Sequence, residues 1–178
     1  MTRAMRGDRS AFAVVVKTHE QRLCRFASRM VGDRDAAHDI VQDALIRLWQ
    51  SRDRYVPQAA VSAYLLRIVR NACIDHVRAN RKFDHVRIDD DVPAASASCE
   101  AIAIAGALHK ALDRALLNLP ESQRAVFVLS EHEGMTYQEI AEALDCPHGT
   151  VASRKYAALS ALRKELRPWL EGDVNDRM

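Results

Sequence analysis

The sequence predicts an all-α protein, two small helical domains joined by a flexible linker, and three observations predict it. Apolar residues recur every three or four positions in several separate stretches. There are only six Gly and five Pro in 178 residues. A polar, proline-bearing segment without periodicity divides the helical stretches near the middle of the chain. Aromatic residues make up 6% while Ala, Leu, Val and Arg are abundant, which favours helices over a turn-rich β fold.

From Phe12 to Met30 the residues Phe12, Val15, Val16, Leu23, Phe26, Ala27 and Met30 keep helical spacing until Gly32-Asp33 stops the pattern. A second helix is expected from about Asp35 to Gln50, with Ala37, Ile40, Val41, Ala44, Leu45 and Leu48 on one stripe and Asp39, Asp43 and Arg47 on the opposite face. Ser51 to Ala60, which contains Tyr55 and Pro57, reads as a loop. A third helix is expected over about Val61 to Arg81. Val61, Leu65, Ile68, Val69, Ala72 and His76 share one side of it, and Arg67, Asn71, Ile74, Asp75, Arg78, Arg81 and Lys82 the other.

Asp89-Asp90-Asp91-Val92-Pro93 and the small residues to Ser98 read as an interdomain linker. Beyond it, Ile102, Leu108, Leu112, Ala115, Leu116 and Leu119 mark a further helix. Pro120 opens the next, which is expected to end at Gly134. Thr136 with Glu139 forms a capping-box pattern, and Met135 and Ile140 are spaced as a hydrophobic staple. The short helix they start is expected to end near Leu144. The turn Asp145-Cys146-Pro147 then leads into a longer helix with Val151, Leu159, Leu162 and Leu166 inward, as far as Pro168. Short helix, tight turn and longer helix make a helix-turn-helix layout.

Charge is unevenly spread. Up to Val92 there are 17 Lys+Arg against 12 Asp+Glu, and after it 9 against 12, so the parts carry +5 and −3 within a net +2. The basic part suggests a polyanionic partner, with local placement of charge mattering more than its total. Cys24, Cys73, Cys99 and Cys146 lie far apart with no Cys-x-x-Cys pair, which suggests neither a zinc site nor a disulfide framework, but small buried or linker thiols in a reducing cytosol. No apolar run approaches the ~20 residues of a membrane span, and no signal-type apolar core follows the N-terminus, so a cytoplasmic protein without membrane insertion is expected.

A helix-turn-helix reads DNA when its second helix enters the major groove and its N-terminal side chains reach base edges. Here those are His148, Gly149, Thr150, Ala152, Ser153, Arg154 and Tyr156, with Ser153, Arg154 and Lys155 suited to phosphates. Capped antiparallel helices also occur in bundles that bind no DNA. Asp39 and Asp43, taken alone, are a solvated face near a helix N-terminus. The Arg67, Asn71 and Arg78 face fits either a solvated stripe or, continued into Arg81-Lys82, a ridge that tracks a nucleic-acid backbone.

The segments Asp39-Ile40-Val41-Gln42-Asp43-Ala44-Leu45-Ile46-Arg47-Leu48-Trp49, Ala63-Tyr64-Leu65-Leu66-Arg67 through Asn71 to Arg78, Leu119-Pro120-Glu121-Ser122-Gln123-Arg124, Tyr137-Gln138-Glu139-Ile140-Ala141 and Gly149-Thr150-Val151-Ala152-Ser153-Arg154 resemble extracytoplasmic-function (group IV) sigma factors of the sigma-70 superfamily. The resemblance runs in order along nearly the whole chain. It implies sigma region 2 over residues 1–86, an acidic linker over 87–100 and sigma region 4 over 101–172.

It further implies that Asp39, Gln42, Asp43 and Arg47 face the clamp helices of core RNA polymerase. Tyr55, Val56 and Gln58 with Asn71 become candidates for a pocket that receives unstacked bases of the minus-ten element. Arg67, Arg70, Arg78, Arg81 and Lys82, with Asp75 on the same face, would follow the single strand's backbone. The second helix of the helix-turn-helix would read the minus-thirty-five duplex. Ala152 and Ala157 stand where the family commonly carries arginine, so phosphate anchoring falls to His148, Ser153, Arg154, Lys155 and Tyr156. Asp89, Asp90 and Asp91 either keep the linker soluble and extended or, as the family implies, face the basic walls of the polymerase's RNA path.

A dimeric helix-turn-helix regulator is the alternative, and it predicts binding to a palindromic duplex without polymerase. An all-α metalloenzyme is disfavoured because no Glu-x-x-His occurs, and neither a Gly-rich phosphate loop nor a nucleophile elbow is present. No catalytic residue, metal or cofactor is therefore expected. With no sensor domain after the last helix, control is expected from an anti-sigma factor that covers the polymerase-binding face and the region 4 helices.

Overall fold

The computed structural model describes residues 1–54, 60–80 and 99–171, and the described elements are helices and turns. In chain order they are α1 (Thr2–Met5), α2 (Arg9–Val31), α3 (Arg34–Gln50), a 3-10 turn (Arg52–Arg54), α4 (Val61–Asn80), α5 (Cys99–Asn118), α6 (Glu121–Phe127), a π-helical turn (Val128–His132), α7 (Tyr137–Leu144), α8 (His148–Glu165) and α9 (Arg167–Glu171).

Two adjacent residues end α2 and start α3. Gly32 takes φ +80°, a left-handed conformation that only glycine adopts without cost, and its N–H donates to the Ser28 carbonyl. The Asp33 carboxylate then accepts from the Ala36 N–H at 2.9 Å and caps α3. With no connecting residues to spare, α2 and α3 lie against each other and α4 closes the first module. Leu23, Phe26, Met30, Val41, Leu65, Leu66 and Val69 fill its centre.

Two details differ from the sequence expectation here. The short helix α1 buries Ala4 and Met5, a fragment too brief to show a periodicity of its own. Ile74, assigned to the polar side of α4, is 9% exposed, because that helix is covered on more of its circumference than one packing face requires.

In the second module α6 opens after Pro120, and a five-residue π-helical turn carries the chain to Gly134 at φ +63°, where the sequence indicated a single regular helix. The capping box at α7 is complete: Glu139 N–H donates to Thr136 Oγ1, and Thr136 N–H donates to Glu139 Oε2 at 2.8 Å. Asp145, left-handed at φ 52°, ends α7 and turns the chain into α8. Helix α8 stops at Glu165, and Pro168 sits within the first turn of α9.

The modules share one core. Ala125, Val126, Leu129, Ile140, Ala141, Leu144 and Val151 of the second belong to the same buried cluster as Leu23, Phe26, Leu66 and Val69 of the first, while Leu116, Leu119, Phe127, Ala158 and Leu162 form a smaller one. Helix α7 lies on α4, and α5, α6 and the π-helical turn touch α2. Where α5 passes the end of α2, a Cβ on Gly32 would stand 2.6 Å from Leu117 Cδ1.

Candidate nucleic-acid interface

Helix α3 presents Asp39, Gln42, Asp43 and Arg47 to solvent on one face, as the sequence predicts. Between them stands Ile46, 53% exposed, which sequence reasoning missed as a surface residue. The signal was available, because Ile46 falls outside the stripe formed by Ala37, Ile40, Val41, Ala44, Leu45 and Leu48. An exposed branched aliphatic amid charged neighbours is suited to the centre of a protein contact.

At the end of α3, Trp49 is held from two sides. Phe12 of α2 meets its ring at 4.9 Å, and the Arg52 guanidinium lies 4.9 Å from the ring centre while donating to the Trp49 carbonyl at 2.9 Å. This fixes the direction in which the chain leaves α3. Arg47, Gln50, Ser51 and Asp53 line an open depression of about 380 Å³ beside it. Tyr55, Val56 and Gln58 of the expected base pocket lie outside the described residues, as do Arg81, Lys82 and the acidic linker residues Asp89, Asp90 and Asp91.

On α4, Asn71, Asp75 and Arg78 are exposed on a common side. Arg67 lies 5.5 Å from the centre of the Tyr64 ring and 3.7 Å from the Asp145 carboxylate. Arg70 is half-buried and donates through Nη1 to the Leu144 carbonyl at 3.1 Å. Burial lowers its pKa, and the positive charges of Arg154 on α8 and Arg78 on α4 act in the same direction. The cationic part of α4 and the start of α8 are therefore neighbours.

On α8, His148, Gly149, Ser153 and Tyr156 are exposed, Tyr156 at 77%, and Thr150, Ala152 and Arg154 are half-exposed. His148 rests against the Tyr137 ring at 5.5 Å, and Ser153 donates back to the Thr150 carbonyl. Lys155 is placed differently from the expectation that it serves phosphates. Its side chain is 18% exposed, and its ammonium lies 2.7 Å from the Glu131 carboxylate, 2.6 Å from Ser130 Oγ and 5.2 Å from the centre of the Tyr137 ring. The hydrogen bond to Glu131 raises the Lys155 pKa and lowers that of Glu131, so the pair is ionised. Lys155 faces inward and braces α8 against the π-helical turn.

Cys24, Cys73 and Cys146 carry free thiols, Cys73 buried and the other two half-buried. Among the described residues no group of His, Cys, Asp and Glu is placed to hold a metal ion, and no helix is long and apolar enough to cross a membrane.

The sigma-70 region 2 family matches residues 15–83 and the sigma-70 region 4 family matches residues 109–162. The ECF RNA polymerase sigma factor SigM of Mycobacterium tuberculosis is 33% identical over 96% of this chain and 84% of its own length. The chain belongs to the extracytoplasmic-function sigma factors of the sigma-70 family. This sigma factor is also 29% identical to the RNA polymerase sigma-H factor of Pseudomonas aeruginosa, over 94% of this chain and 92% of that one. Two solved structures share its fold. CnrH in complex with the cytosolic domain of CnrY aligns with a TM-score of 0.67 at 25% identity, covering 93% of this chain and 94% of that one. RpoE in complex with the anti-sigma factor NepR from Bartonella quintana aligns at 0.69 and 24%, covering 88% and 97%.

Proposed function

We propose that this sigma factor carries core RNA polymerase to promoters whose minus-thirty-five element is read as duplex by α8 and whose minus-ten element is captured as a single strand by α4 and the loop before it. The observation that carries this reading is the order of region 2 and region 4 along one chain, each with an exposed polar helix face: Asn71, Asp75 and Arg78 on α4, and His148, Ser153 and Tyr156 on α8.

The residue roles are those the family resemblance implies, set on the exposed faces of α3, α4 and α8. Asp39, Gln42, Asp43 and Arg47, with Ile46 at their centre, engage core polymerase. Tyr55, Val56 and Gln58 with Asn71 receive unstacked bases, and Arg67, Arg70, Arg78, Arg81 and Lys82, beside Asp75, follow the backbone. His148, Gly149, Thr150, Ala152, Ser153, Arg154 and Tyr156 meet the duplex, with Lys155 setting the angle of α8 rather than binding phosphate. Residues 1–86 and 101–172 act as the two modules, with 87–100 as the tether. Binding energy opens the duplex, so the protein performs no catalysis, and it works in the cytoplasm. An anti-sigma factor restrains it. In support, CnrH, a protein of the same fold, is held by the cytosolic domain of a second protein.

Run-off transcription on a random promoter library, with core polymerase and this chain, tests the reading. Transcripts sharing two spaced elements are expected. Tight binding of a palindromic duplex by the free chain, with no transcription in the presence of core, would instead establish the dimeric regulator.

A further inference from the structure

Helix α8 turns one line of residues outward along most of its length. Gly149, Ser153, Tyr156 and Ser160 recur at i, i+4, i+7 and i+11, and all four are exposed. Ala152 and Ala157 stand to either side of that line, half-exposed. The opposite side, formed by Val151, Ala158 and Leu162, is buried and fixes the rotation of the helix. Among the described residues Tyr156, at 77%, is the most exposed of the large apolar and aromatic side chains. Its neighbours on the line are glycine and serine, so the ring projects beyond them.

Charge frames this strip without entering it. Helix α8 carries no carboxylate before Glu165, and Asn118 donates to Glu165 at 2.7 Å. Arg163 and Lys164 are exposed in the last turn, and Arg154 lies on the side toward α4. Lys155 is drawn away to Glu131 and Ser130. A neutral strip bordered by cations complements a groove whose walls are phosphates and whose floor is base edges.

The chemistry of the strip restricts what that floor can be. In a major groove guanine is read by the paired donors of Arg or Lys, adenine by Asn or Gln, and cytosine by a carboxylate. Gly149, Ala152, Ser153, Tyr156, Ala157 and Ser160 include none of these side chains. Serine hydroxyls do not discriminate among bases. Apolar contact remains, and the apolar feature of the groove is the thymine C5-methyl. We propose that α8 reads its duplex through thymine methyl groups, received on the Tyr156 ring and on the Ala152 and Ala157 methyls, so that its minus-thirty-five element holds thymines at neighbouring positions of either strand. The inference deepens, and rests on, the reading of α8 as the duplex-binding helix.

Duplexes are selected from a library randomised over the minus-thirty-five segment, in parallel by holoenzyme formed from core polymerase and this chain, and by the free chain. On the selected duplex, synthetic deoxyuridine then replaces thymidine in that segment alone. Uracil keeps the base pairing and the hydrogen-bonding edge and lacks only the methyl. Wild type is expected to lose about fourfold in affinity for each methyl removed, the worth of one buried methyl group. Tyr156→Ala is expected to discriminate the two duplexes much less, while Tyr156→Phe, which keeps the ring, discriminates as wild type does. The uracil comparison on wild type needs no variant, so a folding defect does not spoil the test.

Equal affinity of wild type for the thymine and uracil duplexes overturns the proposal. So do undiminished discrimination by Tyr156→Ala, its loss in Tyr156→Phe, and a selection that enriches no thymine. Run-off transcription from the selected duplexes separates this inference from the sigma reading. Transcription indifferent to uracil removes the thymine reading and leaves the sigma function standing. Methyl-dependent binding by the free chain, with no transcription when core is added, keeps the thymine reading and removes the sigma function.

Discussion

The Arg124 guanidinium of α6 donates to the main-chain carbonyl of Met30, in the last turn of α2. It also donates to the carbonyls of Leu117 and Leu119, where α5 ends. Helix C-termini leave carbonyls without partners inside the helix, and here one side chain, 3% exposed, satisfies the ends of two helices from different modules.

Replacing Arg124 by Ala removes a charged donor from buried carbonyls, which costs about 3 kcal/mol. For a chain of this size that corresponds to a fall of about 10 °C in the melting temperature. Arg124→Lys recovers little, since an ammonium cannot match the planar fork. Thermal unfolding followed by circular dichroism measures both, and a shift under 2 °C in the Ala variant refutes this capping role.

The adjacent pair Arg154 and Lys155 should separate cleanly. Arg154→Ala is expected to weaken binding of holoenzyme to promoter duplex and to lower the dependence of log affinity on log salt by about 1, leaving stability unchanged. Lys155→Ala loses the Glu131 contact and costs up to about 1 kcal/mol, with no change in salt slope. Filter binding across a salt series and urea denaturation decide between them; equal salt slopes for the two variants count against the assignment.

Ile46→Asp places a carboxylate at the centre of the α3 face without touching the core. It is expected to reduce affinity for core polymerase at least tenfold while the unfolding midpoint stays within error. Competition with a labelled wild-type chain for core enzyme provides the measurement, and undiminished competition rejects this face as the docking site.

Burial pushes the Cys73 thiol up from 9.0 to about 12. The unfolded chain therefore releases this proton first as pH rises. Stability is complete below about pH 9 and declines toward pH 12, by up to ~1.4 kcal/mol per pH unit from this group. Denaturation between pH 8.5 and 10.5 should show a steeper decline for wild type than for Cys73→Ala. Parallel slopes, or rapid labelling of native Cys73 by a thiol reagent at pH 8, contradict its burial.

Local chemistry in the sequence reached far. Helical spacing placed α2 to α5, α7 and α8 to within a few residues but ran α6 on through the π-helical turn, and Thr136 with Glu139 marked the start of α7 correctly, because both residues lie within a few positions of each other. What escaped depends on partners distant in the chain. Arg70 looked like one more cation on a ridge, since its acceptor lies 74 residues away, and nothing near Glu133 in the sequence pointed to Arg22, which lies 111 residues away. Lys155 looked like a phosphate ligand because Ser130 and Glu131 face it only once the π-helical turn has formed. Ile74 was misassigned for a related reason: a helical wheel supposes one covered side, while α4 meets α2, α3 and α7.

Arg70 and Arg154 come from different modules, and with Arg78 they crowd three guanidinium charges into one neighbourhood. Mobile ions weaken exposed repulsion over about 8 Å at physiological strength and reach buried pairs far less. Added salt therefore calms the crowded cations and leaves the secluded Glu133 pairing almost untouched. The exposed Arg67–Asp145 pair across the same contact weakens at the same time, so salt shifts the hold between the modules from charge to their shared apolar core.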